Sequence, residues 1–180
     1  MSITDIFPVS YQGAGMVRVQ WVKTIASPSA PTLAEIDAET AFDATCYFQA
    51  SAFEITHEQE RVDDTRLCDE NTRESFGRST FAIQNLSYIY DPTDDATAST
   101  PGNLAAATFK AGESGYFVVR MGVKSGTAFA AGQIVEVYSA QFGDQHKPIP
   151  VGDNAKFVIT QPVSLTRVAF NYEIPAASGG

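Results

Sequence analysis

The sequence predicts a mainly β protein, a β-sandwich or barrel with one or two short helices and one long projecting loop. Three observations carry that prediction. The run 167–174 alternates, with Val168, Phe170, Tyr172 and Ile174 on one side and Arg167, Ala169, Asn171 and Glu173 on the other, the period of a half-buried strand. Turn signals recur between such runs at fairly regular intervals, the layout of sandwiches and barrels. A polar stretch at 61–79 is too long for a hairpin turn and too poor in apolar residues to build a core.

In chain order, residues 1–15 form an N-terminal arm with scattered apolar side chains (Ile3, Ile6, Phe7, Val9) and a glycine pair, Gly13 and Gly15. Val17, Val19 and Trp21 alternate with Arg18, Gln20 and Val22 as a first strand. Thr32-Leu33-Ala34-Glu35 is a capping box, in which the threonine hydroxyl accepts the Glu35 amide and the Glu35 carboxylate reaches back to the Thr32 amide. It predicts a short connector helix ending near 37–39. The aromatic and β-branched residues of 42–55 predict one or two strands. The alanine-rich run 104–109 predicts about two turns of helix. Strands follow at 116–123 and 134–142, then 156–161, Pro162, and the last strand. Residues 175–180 read as a flexible tail, and the whole chain as one domain.

Between the polar stretch and Asp91-Pro92 lies another strand. Phe81, Ile83 and Asn85 share one phase, and Leu86, Tyr88 and Tyr90 the other, so alternation breaks near Asn85 as at a β-bulge.

Composition bounds the function. At 180 residues the chain can bury one good core. Its net charge of −9 repels nucleic-acid phosphates, which argues against a sequence-reading DNA binder. No apolar run reaches the length of a membrane span, and the first residues lack the basic start and apolar core of a signal peptide, so a cytoplasmic origin and no membrane partner are expected. Cys46 and Cys68 lack a CxxC spacing and read as free thiols, without support for zinc.

Catalytic chemistry has little footing, and no enzyme, cofactor or metal is expected. His57-Glu58-Gln59-Glu60 is not a metal-binding HExxH helix, and neither a GxSxG elbow nor a phosphate-binding P-loop occurs. Asp91-Pro92-Thr93-Asp94-Asp95 lacks calcium-loop spacing and reads as a solvated loop. The pairs Asp63-Asp64 and Asp69-Glu70 would serve a glycosidase only if brought to a cleft, and Arg61, Arg66 and Arg73 among them favour ion pairing.

Several runs carry a resemblance. They are Pro31-Thr32-Leu33-Ala34-Glu35-Ile36, Asp64-Thr65-Arg66-Leu67-Cys68, Leu86-Ser87-Tyr88-Ile89-Tyr90-Asp91, Gly115-Tyr116-Phe117-Val118-Val119-Arg120-Met121-Gly122-Val123 and Ala130-Ala131-Gly132-Gln133-Ile134-Val135-Glu136-Val137-Tyr138, with Thr160-Gln161 before the last strand. In order and spread over about 31–174, they resemble the major tail tube proteins of long-tailed, siphovirus-like bacteriophages that infect actinobacteria. Phe76-Gly77 departs from the proline-glycine more usual in that loop.

The resemblance implies a structural subunit of the virion tail, six to a ring, with rings stacked into a tube through which genomic DNA passes without sequence-specific binding. It implies further copies of the chain, a tape measure protein, a tail tip and a tail terminator as partners, and assembly in the host cytoplasm. An anionic lumen would repel DNA, with Glu136 and Glu173 as candidate lumen charges. The polar stretch is then expected to contact neighbouring subunits through Arg61, Asp64, Arg66, Leu67, Arg73 and Phe76, with Leu67 and Phe76 as anchors. A monomeric β-sandwich binding or virion-decorating module is the alternative, and needs an exposed aromatic platform from Trp21, Tyr88, Tyr90, Tyr116, Tyr138 or Tyr172. The tube of a contractile or secretion machine shares the ring plan.

Overall fold

Alternating apolar residues and turn chemistry give seven strands and two short helices in the computed structural model, which describes residues 12–49, 51–94 and 100–176. Most of the expected arm, the last residues of the expected tail, and Asp95 lie outside the described residues. In chain order the elements are β1 (Val17–Val22), α1 (Leu33–Ile36), β2 (Phe42–Asp43), β3 (Ile55–Asp63), β4 (Glu74–Ile89), α2 (Leu104–Thr108), β5 (Ser114–Met121), β6 (Ile134–Phe142) and β7 (Val158–Glu173). The strands pair in the order β2-β1-β5-β6-β7-β4-β3, and the β1–β2, β1–β5, β3–β4 and β4–β7 ladders are antiparallel. The mainly β class with two short helices is as the sequence predicts.

Contacts divide the chain into two compact units. The first comprises Met1–Thr45, Tyr116–Val137 and Val168–Gly180. Its core gathers Val22, Ile25, Ile36, Val118, Phe129, Val135, Val137, Ala169 and Ile174. The capping box forms as the sequence requires: Thr32 Oγ1 accepts the Glu35 amide at 3.3 Å, and Glu35 Oε2 accepts the Thr32 amide at 2.8 Å. Fixing that turn aims Ile36 into the core and Leu33 against it.

Arg120 is the largest fully buried side chain, and no ion pair within 4 Å is recorded for it among the described residues. Its guanidinium donates to the carbonyls of Ala128 (3.0 Å) and Lys124 (2.8 Å) and to Gln133 Oε1 (3.0 Å). It also lies 4.9 Å from the Phe129 ring centroid, with Arg18 at 5.0 Å from the same ring. One buried cation thus organises the β5–β6 connection. Burial depresses its pKa, the nearby Arg18 charge adds to the effect, and Asp43 opposes it.

The second unit comprises Cys46–Gly115 and Tyr138–Arg167. Phe109, just past α2, is its aromatic hub, touching Phe142 (4.7 Å), Tyr88 (5.3 Å) and Phe48 (6.0 Å). A polar network ties the end of α2 to β4 and β7. The Tyr88 hydroxyl donates to Gln161 Oε1 at 2.8 Å and accepts from Gln145 Nε2 at 3.0 Å. The two amides also donate to the carbonyls of Ala106, Phe109 and Gly143. Burial raises the Tyr88 pKa, with the Gln145 hydrogen bond pulling the other way.

Four expectations are corrected by this structure. The stretch 61–79, expected as a loop, is largely β-hairpin: β3 runs to Asp63 and β4 starts at Glu74. The run 42–55 supplies only the two-residue β2, a single bridge between Phe48 and Tyr88, and the start of β3. Pro162 does not divide the last strands, because β7 is continuous through it. The break near Asn85 is the bulge the pattern implies, and Gln84-Asn85 face Pro162, a residue with no amide to offer the ladder.

The fourth correction concerns β7. Ala169 is buried and Phe170 is 56% exposed, the reverse of the expected phase. Asn171 adopts a left-handed conformation (φ 50°), which asparagine tolerates better than most residues. It resets the alternation, so that Tyr172 and Ile174 face the core as the sequence predicts.

Candidate interaction surface

The β3–β4 hairpin has two chemically distinct faces. Its register pairs His57 with Phe81, Gln59 with Ser79, Arg61 with Phe76, and Asp63 with Glu74. A bulge at Gly77-Arg78, opposite Glu60, shifts the phase. A Cβ on Gly77 would stand 3.0 Å from Val62 Cγ2 and 3.3 Å from Glu60 Cβ, so the bulge fits best without a side chain there. The two bulges of β4 together keep Phe76, Phe81, Ile83, Leu86 and Tyr88 on one face, although their spacing is irregular. Thr56, Glu58, Glu60 and Val62 occupy the other.

The β4–β7 ladder spans Phe81 to Ile89, so the part of β4 from Glu74 to Thr80 pairs with β3 alone. His57 stacks on Phe81 at 4.6 Å, and the Arg167 guanidinium stands 4.6 Å from the same ring, across three neighbouring strands. Beyond that stack the hairpin is a two-stranded ribbon, exposed on both faces apart from half-buried Gly77 and, at the tip, Asp69. A ribbon of this kind has no core to hold it.

The tip is nonetheless ordered by its own hydrogen bonds. Asp63 Oδ1 accepts the Thr65 amide at 2.8 Å, and the Thr65 hydroxyl, followed by that amide, lowers the Asp63 pKa. The Asp64 amide donates to the Arg73 carbonyl at 2.9 Å. Arg66 and Asp69 close a turn, with the Asp69 amide on the Arg66 carbonyl and the Arg66 amide on Asp69 Oδ2. Leu67 sits at its apex, 110% exposed, and Phe76 on the ribbon is 73% exposed.

The structure thus brings all six expected contact residues onto one hairpin. Arg61 pairs with Glu74 at 3.0 Å and Arg73 with Asp69 at 3.8 Å, both within the hairpin. The Arg61–Glu74 pair is exposed on both sides, hence weak, salt-sensitive and open to exchange for partners on another molecule, whereas the Asp69 carboxylate is half-buried. The acidic pairs Asp63-Asp64 and Asp69-Glu70 stand on this tip, at no cleft.

Glu136 and Glu173 lie on β6 and β7 in the first unit. Glu136 is half-buried between Val135 and Val137, whose side chains enter the core on the opposite face. Glu173 is exposed, between the inward Tyr172 and Ile174. Both therefore point away from that core.

Sequence reasoning missed other exposed apolar residues. In the second unit these are Ile89, Ile149, Val151 and Phe157, and in the first Val17, Met121, Ile134 and Phe170. Ile149 and Val151 alternate with Pro148 and Pro150 in what reads as a plain loop. The aromatic platform needed by a binding module is depleted, because Trp21, Tyr88 and Tyr138 are buried. Cys46 and Cys68 are exposed thiols. Asp91 Oδ1 accepts both the amide and the hydroxyl of Thr93 in a local turn. Among the described residues no group of three or more His, Cys, Asp or Glu is placed to hold a metal, and no helix is long and apolar enough to cross a membrane.

A sequence model of the phage tail tube protein family matches residues 4–177. The chain belongs to the phage tail tube protein family. No curated protein matches it. Membership makes it a structural component of the phage tail, in a family that self-assembles into a tube with other tail proteins and is not known for catalysis.

Proposed function

We propose that this tail tube protein forms hexameric rings that stack around a lumen through which genomic DNA passes during ejection, and that the β3–β4 hairpin docks on adjacent subunits. The family match supports the tube, and the observation that carries the docking is the ribbon itself. Leu67 and Phe76 are held outward on an ordered ribbon, residues 58–80, that contributes no buried apolar side chain to the core of its own unit. Burying each against a neighbour would stabilise the contact by about 1.5–3 kcal/mol. The tape measure, tip and terminator proteins are the expected tail partners. The resemblance supports a long-tailed, siphovirus-like phage of actinobacteria, with assembly in the host cytoplasm.

The net charge of −9 suits a conduit. Anionic walls repel phosphates, and screening over about 8 Å at physiological salt confines the repulsion to a narrow pore. Glu136 and Glu173 are the proposed lumen charges. Glu136→Lys with Glu173→Lys is expected to leave tubes intact and slow DNA ejection from phage carrying them; an unchanged ejection rate would remove their electrostatic role. Assembly itself is tested by sedimentation with and without a tail-tip nucleus. Rings or tubes are expected, and a monomer that persists even with the nucleus would contradict the proposal.

A further inference from the structure

The exposed apolar residues of the second unit fall into two groups at opposite ends of one strand. Near the start of β4 stand Val62, Leu67 and Phe76 on the hairpin; at its end stand Ile89 and, on the β6–β7 loop, Ile149, Val151 and Phe157. From Phe76 to Ile89 the strand extends roughly 40 Å at about 3.3 Å per residue. A paired strand cannot fold back to bring its own ends together.

The loop is built to present its apolar residues. His146 and Thr160 exchange backbone hydrogen bonds at 2.9 and 2.8 Å across its base. Lys147 Nζ lies 4.9 Å from the Tyr90 ring centroid, and Tyr90 meets Phe157 edge-on at 6.1 Å. Pro148 and Pro150 restrict the backbone on either side of Ile149, which reduces the entropy lost on docking. The two ends also differ in charge. From 61 to 74 five carboxylates stand against three arginines, whereas from 147 to 157 Lys147 and Lys156 stand against Asp153.

Resting on the tube reading above, we propose that the hairpin of one copy seats on the 147–157 loop of the next, with Leu67 and Phe76 against Ile149 and Val151. The surfaces differ and lie at opposite ends of β4, so the contact is head-to-tail, the class that runs on along a tube wherever its rotation does not close it into a ring. This is the geometry by which one copy leads to another along a tube.

Cross-linking tests the pairing. Val151→Cys in a Cys46→Ser background leaves one thiol on the loop and the native Cys68 beside Leu67 at the hairpin apex. Treating assembled protein with a short bifunctional maleimide is expected to give a ladder of covalent multimers on denaturing gels, absent from the Cys46→Ser chain. Tubes that yield only monomers or dimers would overturn the pairing and leave the tube reading standing. Failure of the Cys46→Ser chain to assemble at all, even with a tail-tip nucleus, would overturn both. Independently, Ile149→Asp with Val151→Asp is expected to leave the monomer's melting temperature unchanged and lower tube yield by roughly tenfold or more. Wild-type yield from that variant would also overturn the pairing.

Discussion

Arg120 and Tyr88 show how single polar groups hold each unit together. Arg120 is buried with three acceptors arranged around it. Arg120→Leu leaves the Lys124 and Ala128 carbonyls and Gln133 without their donor, at an expected cost of about 2–4 kcal/mol. Thermal unfolding of the monomer reads this as a lowered melting temperature, and no loss would mean those acceptors find other donors. Tyr88→Phe removes the hydroxyl that joins Gln161 to Gln145, for about 1–2 kcal/mol. Burial raises the Tyr88 pKa above the ordinary value of 10.0. Its contribution is therefore complete below that value and lost as pH climbs through the raised one. Ultraviolet titration of the wild type against Tyr88→Phe is expected to show that the Tyr88 ionisation appears only as the protein unfolds. A Tyr88 that titrates normally in the folded chain would contradict its burial.

Elements differ in how far the sequence exposes them. The capping box, β1, α2, β5 and β6 are legible because each rests on a local signal: a Thr-to-Glu reach, a period of two, or a run of alanines. The bulge at Gln84-Asn85 is legible because both strand halves bury apolar residues, so the phase jump is visible. The β3–β4 ribbon is not, because with solvent on both sides its polar residues show no apolar period. Phe170 is misplaced because one left-handed residue, Asn171, resets the phase without changing the alternation on the page. Ile149 and Val151 escape notice because a proline-flanked loop reads the same whether its apolar residues are covered or bare. Since the ribbon has no core to disturb, Leu67→Ser with Phe76→Ser is expected to change monomer stability by less than about 0.5 kcal/mol each. The same pair is expected to abolish tubes under electron microscopy. Thr32→Ala, by contrast, is expected to cost about 1 kcal/mol through the lost cap and leave assembly intact.

The whole molecule separates what folds from what assembles. The buried residues of both units account for the fold, and on the proposed reading the exposed apolar residues remain for contact with other copies. Stable interfaces of obligate assemblies bury about 2,000 Å² or more, so several such surfaces are needed per subunit. The most direct test of the account replaces residues 59–79 with Asn-Gly, joining Glu58 to Thr80 through a two-residue turn that suits an antiparallel pair. The electron microscope is the decisive readout, with far-UV circular dichroism confirming the fold. The account predicts a folded β protein that forms no tubes, even with a tail-tip nucleus; normal tubes from the shortened chain would contradict it.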